Sequence, residues 1–283
     1  REKLAAMAAD AYTAESVAYL TTGLADRPDV DYALESAAAK VWTSDAMGRA
    51  VDELVQIAGG RGFVKPFPYE RMYRDARITR IFEGTNEILR LFVGYSGMQG
   101  PGEHLRQIGE ALREPVRRLG LLTDFAAERV RLALRAGEPS VGVEVHPRLQ
   151  HHFDYLESHT RDLRMAVDGV IRRYGRRIVD RQLVAARVAD MAIELYVRTA
   201  VLSRTQALLE AFMSGAREAP PLTSARIVLG EDEVERLLRL CDLACQRSGL
   251  RFRAARQSLN GERDTLAMEV ADDVTAAVGS VAV

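Results

Sequence analysis

The sequence contains few of the residues that build disulfide frameworks, β-sheets or membrane spans. Two cysteines among 283 residues cannot form a disulfide framework, which indicates a reducing compartment. Aromatic residues make up only 6% of the chain, and strand-rich domains use more, so we expect an all-α fold. We expect neither a transmembrane helix nor a signal peptide, because no apolar run has the required length or flanking pattern. The formal charge of −1 argues against broad nucleic-acid binding.

The composition is that of a folded protein of about two domains. Hydrophobic residues make up 47% and charged residues 28% of the chain, which is enough for a packed core. The chain opens on Arg1 within a helical pattern, so we expect a fragment of a longer polypeptide.

Apolar residues recur at helical spacing through most of the chain. This periodicity predicts helices over residues 1–23, 31–58, 69–75 and 85–94, then over 149–174 continuing to 214, and over 231–250 and 252–259. Gly59 and Gly60 are expected to end the second helix, and Thr85 is expected to cap the fourth. Residues 61–68 and 76–83 are expected to be irregular or extended.

Two glycine- and proline-rich stretches, residues 97–102 and 136–147, predict linkers between helical regions. We therefore predict a helical domain over residues 1–97, a linker with short helices over 98–147, and a helical extension over 148–283. Residues 216–223 are predicted to form a loop.

Residues 56–92 hold most of the candidate chemistry. Gly59 and Gly60 would leave room for a ligand, although a plain helix C-cap is the simpler explanation. Glu83 follows two apolar residues and lies just before a predicted helix start. Apolar surroundings would desolvate this carboxylate and raise its pKa toward the range of a general base. The alternative is an ordinary helix-start acid that complements the helix dipole.

This segment resembles the C-terminal helical domain of acyl-CoA dehydrogenases. The matching pieces follow the family's order and spacing: Gln56-Ile57-Ala58-Gly59-Gly60, Gly62-Phe63, Arg71…Arg74-Asp75…Arg77-Ile78, and Phe82-Glu83-Gly84-Thr85-Asn86 leading into Ile88…Arg90. The resemblance extends back to Arg1 and forward through Val145-His146-Pro147. It includes a helical extension similar to that of the very-long-chain branch.

The resemblance implies an FAD-dependent enzyme that converts long-chain acyl-CoA to trans-2-enoyl-CoA in fatty-acid β-oxidation. Glu83 would take the α-proton, and its backbone N–H would help to stabilise the developing enolate. Phe82 and Gly84 would contact substrate. FAD would be contacted by two groups of residues: Gln56, Ile57, Ala58, Gly59 and Gly60 from the neighbouring subunit, and Thr85, Asn86 and Glu87 from its own.

The same resemblance implies a homodimer that passes electrons to electron-transferring flavoprotein. It implies a cytoplasmic location in a bacterium, with or without contact to the inner membrane, or the matrix side of the inner mitochondrial membrane in a eukaryote. The family's flavin-cradling β-domain is missing from this sequence, so the fragment alone is expected to be inactive. The alternatives are a non-catalytic assembly or scaffold protein for a respiratory complex, derived from the same family, and an unrelated helical interaction bundle.

A basic amphipathic helix is predicted within residues 162–180. Its apolar residues are Val167, Ile171, Tyr174 and Ile178, and its basic residues are Arg172, Arg173, Arg176 and Arg177. Such a helix can lie on an anionic membrane. The ordinary alternative is a core-facing helix with a solvated charged side.

The remaining reactive residue types give weaker signals. Four histidines, His146, His151, His152 and His159, crowd one stretch, but their spacing matches no standard site, so we predict no metal. Cys241 and Cys245 lie one helical turn apart and are predicted to be buried thiols. Four acids near the end are predicted to be solvated charges: Asp264, Glu269, Asp272 and Asp273.

Overall fold

The predicted helical periodicity is realised in nine α-helices across the described residues. This computed structural model describes residues 1–113, 145–218, 228–260 and 262–279, and side chains outside 101–113, 262–263 and 279. The helices are α1 (Glu2–Ala25), α2 (Ala33–Ala58), α3 (Gly60–Phe63), α4 (Tyr69–Ile78), α5 (Asn86–Arg113), α6 (Gln150–Tyr174), α7 (Gln182–Met213), α8 (Glu231–Gln257) and α9 (Glu262–Gly279). Short 3₁₀ helices lie at Gly175–Asp180 and Ser258–Asn260. Over the described ranges no strand is present, only one isolated β-bridge, so the all-α prediction is confirmed.

Several helix ends follow from local chemistry, and those at Gly59 and Thr85 were predicted. Gly60, predicted to end α2 with Gly59, instead begins the short helix α3, which enters the stretch 61–68 that was predicted to be irregular. At the start of α2, the Asp31 carboxylate accepts a 3.0 Å hydrogen bond from the backbone N–H of Ala33. The helix stops at Gly59, whose φ of 58° is a left-handed conformation that glycine adopts without steric cost. The Thr85 hydroxyl accepts a 3.3 Å hydrogen bond from the N–H of Ile88, which confirms it as the cap of α5.

Helix α7 lies at the centre of the fold and packs against α1, α2, α5, α6 and α8. One apolar core joins α1, α2 and α5 to α7 through residues that include Val17, Val41, Val93, Ile193 and Val197. The regions predicted as a first domain and an extension therefore share a core in the structure. The predicted domain boundaries at residues 97 and 148 therefore remain a prediction.

The predicted linker at residues 97–102 is instead part of α5, which runs without a break to Arg113. Burial of Val93 and Met98 in the core stabilises this helix, and such packing outweighs the weak helix propensity of glycine. Gly94 allows α5 to cross α7 closely, because a Cβ there would lie 2.5 Å from the backbone oxygen of Ala185. The predicted loops at 136–147 and 216–223 lie largely outside the described residues.

Other predicted boundaries also need correction. The helix predicted to continue from residue 149 to 214 is interrupted at Gly175, whose φ is 53°. Conversely, the helices predicted over 231–250 and 252–259 form one helix, α8, which continues through residue 251 to Gln257. Burial of Phe252 in the core stabilises this continuation. Helix α4 extends to Ile78, three residues beyond the predicted end, and turns rather than extended chain follow it.

The apolar side of the predicted amphipathic segment faces the core. Its four apolar residues, Val167, Ile171, Tyr174 and Ile178, belong to a cluster with residues of α5 and α7. On the basic side, Arg173 donates a 3.0 Å hydrogen bond to the backbone oxygen of Asn260. The structure therefore favours the core-facing alternative, because insertion into a membrane would first require this apolar face to be unpacked.

Among the described helices, none combines the length and apolar character that crossing a bilayer requires.

Two further side-chain predictions have different outcomes. Cys241 and Cys245 are free and buried, as predicted. The prediction of a solvated Asp264 is wrong. Its carboxylate accepts two hydrogen bonds, at 2.6 and 2.7 Å, from the guanidinium of Arg187 on α7.

Candidate active site

Glu83 lies on a turn formed by residues 79–85, which connects α4 to α5 and is called here the Glu83 turn. It is the one described non-glycine residue with positive φ, at 52°. For a residue with a side chain this conformation costs about 1–2 kcal/mol, so surrounding contacts must hold it. The carboxylate is solvent-exposed, and Phe82 beside it is half-exposed. The sequence had led us to expect apolar surroundings for this acid, and within this chain they are only partly present.

Helix α2 holds the far side of the Glu83 turn. Lys40 donates hydrogen bonds of 2.7 Å to the backbone oxygen of Gly84 and 2.8 Å to the Asn86 side-chain oxygen. Desolvation lowers the pKa of Lys40 from its ordinary value, against the opposing effects of Asp45 and Glu87. The ammonium thus fixes one peptide next to Glu83.

Asn86 is buried and anchors the start of α5. Its side-chain nitrogen lies 2.9 Å from both Ser44 Oγ and an Asp45 carboxylate oxygen. Its backbone N–H donates a 3.1 Å hydrogen bond to the carbonyl of Arg80. Because these side-chain atoms are engaged within the chain, Asn86 positions the turn. Its predicted contact with FAD stays a prediction.

Two arginines complete the attachment of the Glu83 turn. Arg90 donates 2.7 Å hydrogen bonds to Asp45 on α2 and to Asp190 on α7. Burial lowers the pKa of Arg90, but the two carboxylates outweigh burial and keep it above the ordinary value. Arg80 packs so tightly over Gly48 of α2 that a Cβ at Gly48 would lie 3.1 Å from its guanidinium carbon.

The backbone N–H of Glu83 points to no acceptor within the described residues. Gly84, next in the chain, has a φ of 88°, and a Cβ built on it would lie 3.2 Å from the Leu89 side chain. The turn therefore offers a carboxylate and an N–H donor from one residue on one exposed surface.

The second predicted binding segment, residues 56–60, lies at the opposite end of α2. Lys40 and Gln56 are sixteen residues apart, which corresponds to about 24 Å along a helix axis. Ile57 is half-exposed, and a Cβ built on Gly59 or Gly60 meets nothing within 4 Å. The structure therefore gathers Phe82, Glu83, Gly84 and Thr85 near one end of α2 and leaves residues 56–60 exposed at the other.

An apolar groove of about 740 Å³ lies beside the Glu83 turn, between α2, α3 and α4. Val55, Phe63, Ile78 and Ile81 form part of its wall, and Glu83 does not line it. Gly62 allows α3 to close onto α2, since a Cβ there would lie 2.4 Å from the Val55 backbone oxygen.

The anchoring residues Lys40, Asp45 and Asp190 were not anticipated from the sequence. Lys40 and Ser44 lie one turn apart among apolar residues of α2. This pair of polar residues is a local feature of the sequence that could have indicated the anchor. Asp190 lies 100 residues from its partner Arg90, so nothing local marks that pair.

Comparison with known proteins agrees with this architecture. The family model described as acyl-CoA dehydrogenase, C-terminal domain, matches residues 1–98. The model described as ACAD9/ACADV, C-terminal domain, matches residues 147–279. Together the two matches cover more than half of the chain.

Individual relatives are longer than this chain. The rat mitochondrial very long-chain specific acyl-CoA dehydrogenase is 37% identical over 220 residues, which cover 77% of this chain and 34% of the relative. The human protein of that description is 33% identical over 263 residues, covering 93% of this chain and 37% of the relative. The chain thus spans about a third of the length of these curated relatives.

A solved structure shares the fold. A Bacillus anthracis acyl-CoA dehydrogenase complexed with FAD superposes with a TM-score of 0.65 and 28% identity, covering 91% of this chain and 41% of the other. The resemblance expected from residues 56–92 is confirmed, and this chain belongs to the acyl-CoA dehydrogenase family.

Proposed function

We propose that the protein carrying this chain is an FAD-dependent acyl-CoA dehydrogenase that introduces a trans double bond between Cα and Cβ of a long-chain acyl-CoA. The observation that carries this proposal is the exposed Glu83, held at positive φ on a turn fixed to α2. The named relatives and the FAD-bound structural neighbour support the reaction class.

In this proposal Glu83 acts twice. Its carboxylate takes the α-proton, and its backbone N–H donates a hydrogen bond to the thioester oxygen as negative charge develops there. That N–H has no acceptor among the described residues, so it is available for this contact. Gly84 would contact the thioester beside this donor, and the half-exposed Phe82 would cover the acyl chain.

Substrate binding would also change the surroundings of Glu83. The carboxylate is exposed in this chain, and covering it with an acyl chain would remove water from it. Lys40 and Asn86 would keep the Glu83 turn in place while this happens.

Residues 56–60 fit a contact with FAD. They present bare backbone at Gly59 and Gly60, open space where Cβ atoms would be, and an exposed Ile57 for packing against a flat ring. When bound, FAD supplies the acceptor for the hydride that leaves Cβ. Because Lys40, which holds Gly84, and Gln56 are sixteen residues or about 24 Å apart along α2, a homodimer in which each segment serves a different FAD is part of the proposal. Thr85 and Glu87 would approach the FAD of their own subunit.

Electron-transferring flavoprotein is the proposed acceptor of the electrons. Contact with an anionic inner membrane, if made through Arg172, Arg173, Arg176 and Arg177, would be electrostatic, because the apolar face of that segment is packed into the core. Replacing these four arginines with glutamine should then reduce binding to anionic vesicles. Unchanged vesicle binding would remove membrane contact from the proposal.

Reduction of the flavin by substrate tests the proposed reaction. The intact protein is mixed anaerobically with acyl-CoAs of increasing chain length while the flavin absorbance is followed. We expect bleaching with long chains, none with Glu83→Gln, and full bleaching with Asp29→Asn, which removes an exposed acid in the α1–α2 connection.

The alternative, a non-catalytic assembly or scaffold protein, predicts a different outcome. The protein would bind flavin, yet no acyl-CoA of any length would reduce it, and Glu83→Gln would change nothing.

A further inference from the structure

A second cavity lies in the extension, away from the Glu83 turn. It has a volume of about 440 Å³ and opens between α6, α7 and α8. Six of the residues that line it carry hydrogen-bonding side chains: His151, His152, Tyr155, Arg198, Gln246 and Arg253. Nothing in the proposed dehydrogenase reaction uses this cavity.

Arg198 is the unusual member of this wall. It is only 4% exposed, and its guanidinium donates to the His159 ring nitrogen at 3.1 Å and to the Cys245 backbone oxygen at 2.6 Å. Both acceptors are uncharged in this arrangement, and Arg198 Nε is buried with no partner among the described residues. The Glu194 carboxylate acts on Arg198 from a distance, but no acid forms an ion pair with it among the described residues. A buried charge without a direct ion pair is costly, so an anion bound here would be stabilised.

Each carboxylate that acts on this region is hydrogen-bonded to another side chain, although Glu194 Oε2 is buried without a partner among the described residues. Glu194, one turn before Arg198, pairs with Arg251, and Asp162 pairs with Arg256. Asp242 accepts a 2.8 Å hydrogen bond from His152. Over the described part of the chain, neither Arg198 nor Arg253 has a carboxylate within 4.0 Å. Two guanidinium groups therefore line one cavity without a paired acid.

Gly249 shapes this site. A Cβ at that position would lie 2.7 Å from a terminal nitrogen of Arg198 and 3.4 Å from one of Arg253. The missing side chain thus leaves room for the Arg198 guanidinium of α7 against α8, beside the Arg253 side chain of α8 itself. Arg253 is exposed and Arg198 is buried. An anion in the cavity could therefore accept hydrogen bonds from one arginine near the surface and from another deeper in the protein.

We propose that this cavity binds a small organic phosphate, a phosphate monoester. Guanidinium forks match phosphate oxygens in geometry and charge, and His151, Gln246 and Tyr155 add further hydrogen-bonding groups around them. A phosphate has three oxygens to share among this many donors, whereas a carboxylate has two. The volume of about 440 Å³ leaves room for the organic part.

A divalent cation is the competing occupant. Ligand atoms of His151, His152 and Asp242 lie within 4.8 Å of one another, although the sequence had predicted no metal. The site fits a cation less well, because two unpaired guanidinium groups share the cavity wall and His152 is already bonded to Asp242.

Direct binding measurements test the proposal with the intact, flavin-loaded protein. Calorimetric titrations at constant ionic strength use inorganic phosphate, glycerol 3-phosphate, zinc chloride and phosphatidylglycerol vesicles. We expect saturable binding of glycerol 3-phosphate, weaker binding of inorganic phosphate, and no dependence of vesicle binding on the cavity residues. Binding of zinc in place of phosphate, or binding of vesicles alone, would overturn the proposal.

Variants locate the site. Arg253→Gln removes a rim charge without touching the core and should weaken glycerol 3-phosphate binding about tenfold or more. Arg198→Lys keeps the positive charge but removes the planar guanidinium group, so this variant should also bind glycerol 3-phosphate more weakly. Arg239→Gln, an exposed arginine of α8 outside the cavity, is the matched control and should bind as the parent does. Equal affinity in Arg253→Gln and the parent protein would refute the assignment, even if Arg198→Lys fails to fold.

Discussion

The Lys40 ammonium on α2 donates a 2.7 Å hydrogen bond to the backbone oxygen of Gly84, the residue that follows Glu83. The two residues are 44 positions apart, so this contact exists only in the folded chain. A charged donor on a helix thereby fixes a strained turn that carries the proposed base. Loosening this attachment should affect catalysis without altering any group that touches substrate.

Replacing Asn86 with alanine should loosen the Glu83 turn. The change leaves Lys40, Ser44 and Asp45 without their shared partner. We expect a loss of about 1–3 kcal/mol in the free energy of unfolding, measured by urea denaturation. The rate of flavin reduction should fall as well. An Asn86→Ala protein with unchanged stability would show that the network does not hold the turn.

Two glycines of α5 should respond in opposite ways to alanine. Gly94→Ala places a Cβ 2.5 Å from the Ala185 backbone oxygen, and such overpacking costs about 1–3 kcal/mol. Gly97→Ala meets nothing within 4 Å and should stabilise the helix by about 0.5–1 kcal/mol. Thermal unfolding of both variants checks this. Equal shifts in Tm would mean that α5 and α7 do not cross as closely as described.

Stability should fall at acid pH because of His159. Burial, assisted by the Arg198 guanidinium, lowers the pKa of His159 from 6.5 to about 4. The unfolded chain binds a proton as the pH drops below 6.5, whereas the folded chain resists protonation until about pH 4. The stabilising effect of the neutral ring is therefore complete above pH 6.5 and lost progressively between 6.5 and 4.

Urea midpoints at pH 7.5 and pH 5 measure this effect. His159→Asn keeps an acceptor for Arg198 but cannot titrate, so its two midpoints should differ less than those of the parent protein. If both proteins lose the same stability between these pH values, other groups are responsible.

Helix α9 should detach when its ion pair is removed. Asp264 binds Arg187 through both carboxylate oxygens, while later apolar residues of α9, including Leu266, Val270 and Val274, are more than half exposed. Asp264→Asn should therefore speed amide hydrogen exchange across α9 and leave α7 protected. Asp272→Asn, at an exposed position of the same helix, serves as the control, and equal exchange in the two variants would contradict the assignment.

Much of the fold was predictable where a local signal decides the structure. Gly59 ends α2 because of its own backbone freedom, and Thr85 caps α5 through a hydroxyl three residues from its donor. The linker predicted at residues 97–102 was wrong, because core packing of Val93 and Met98 overrides composition.

The candidate site shows a similar division. Glu83 and residues 56–60 were predicted from family motifs that lie within forty residues of sequence, and their roles remain predictions. The residues that anchor the Glu83 turn were not predicted, because Lys40, Asp45 and Asp190 reach this region only through tertiary packing. Arg198 gave no sequence signal either, as its lack of a carboxylate depends on which acids the other helices bring near it.

Since Lys40 of α2 holds the Glu83 turn and residues 56–60 lie at the C-terminal end of the same helix, α2 sets their rotational relationship as well as their separation. Each residue of an α-helix advances about 100° around its axis. One residue inserted between Lys40 and Gln56 would therefore turn the glycine end about 100° out of phase with the turn, while lengthening the helix by only about 1.5 Å. Seven inserted residues, about two full turns, would nearly restore the phase at a longer distance. We therefore expect α2 to tolerate insertions or deletions only when their length is close to a whole number of helical turns.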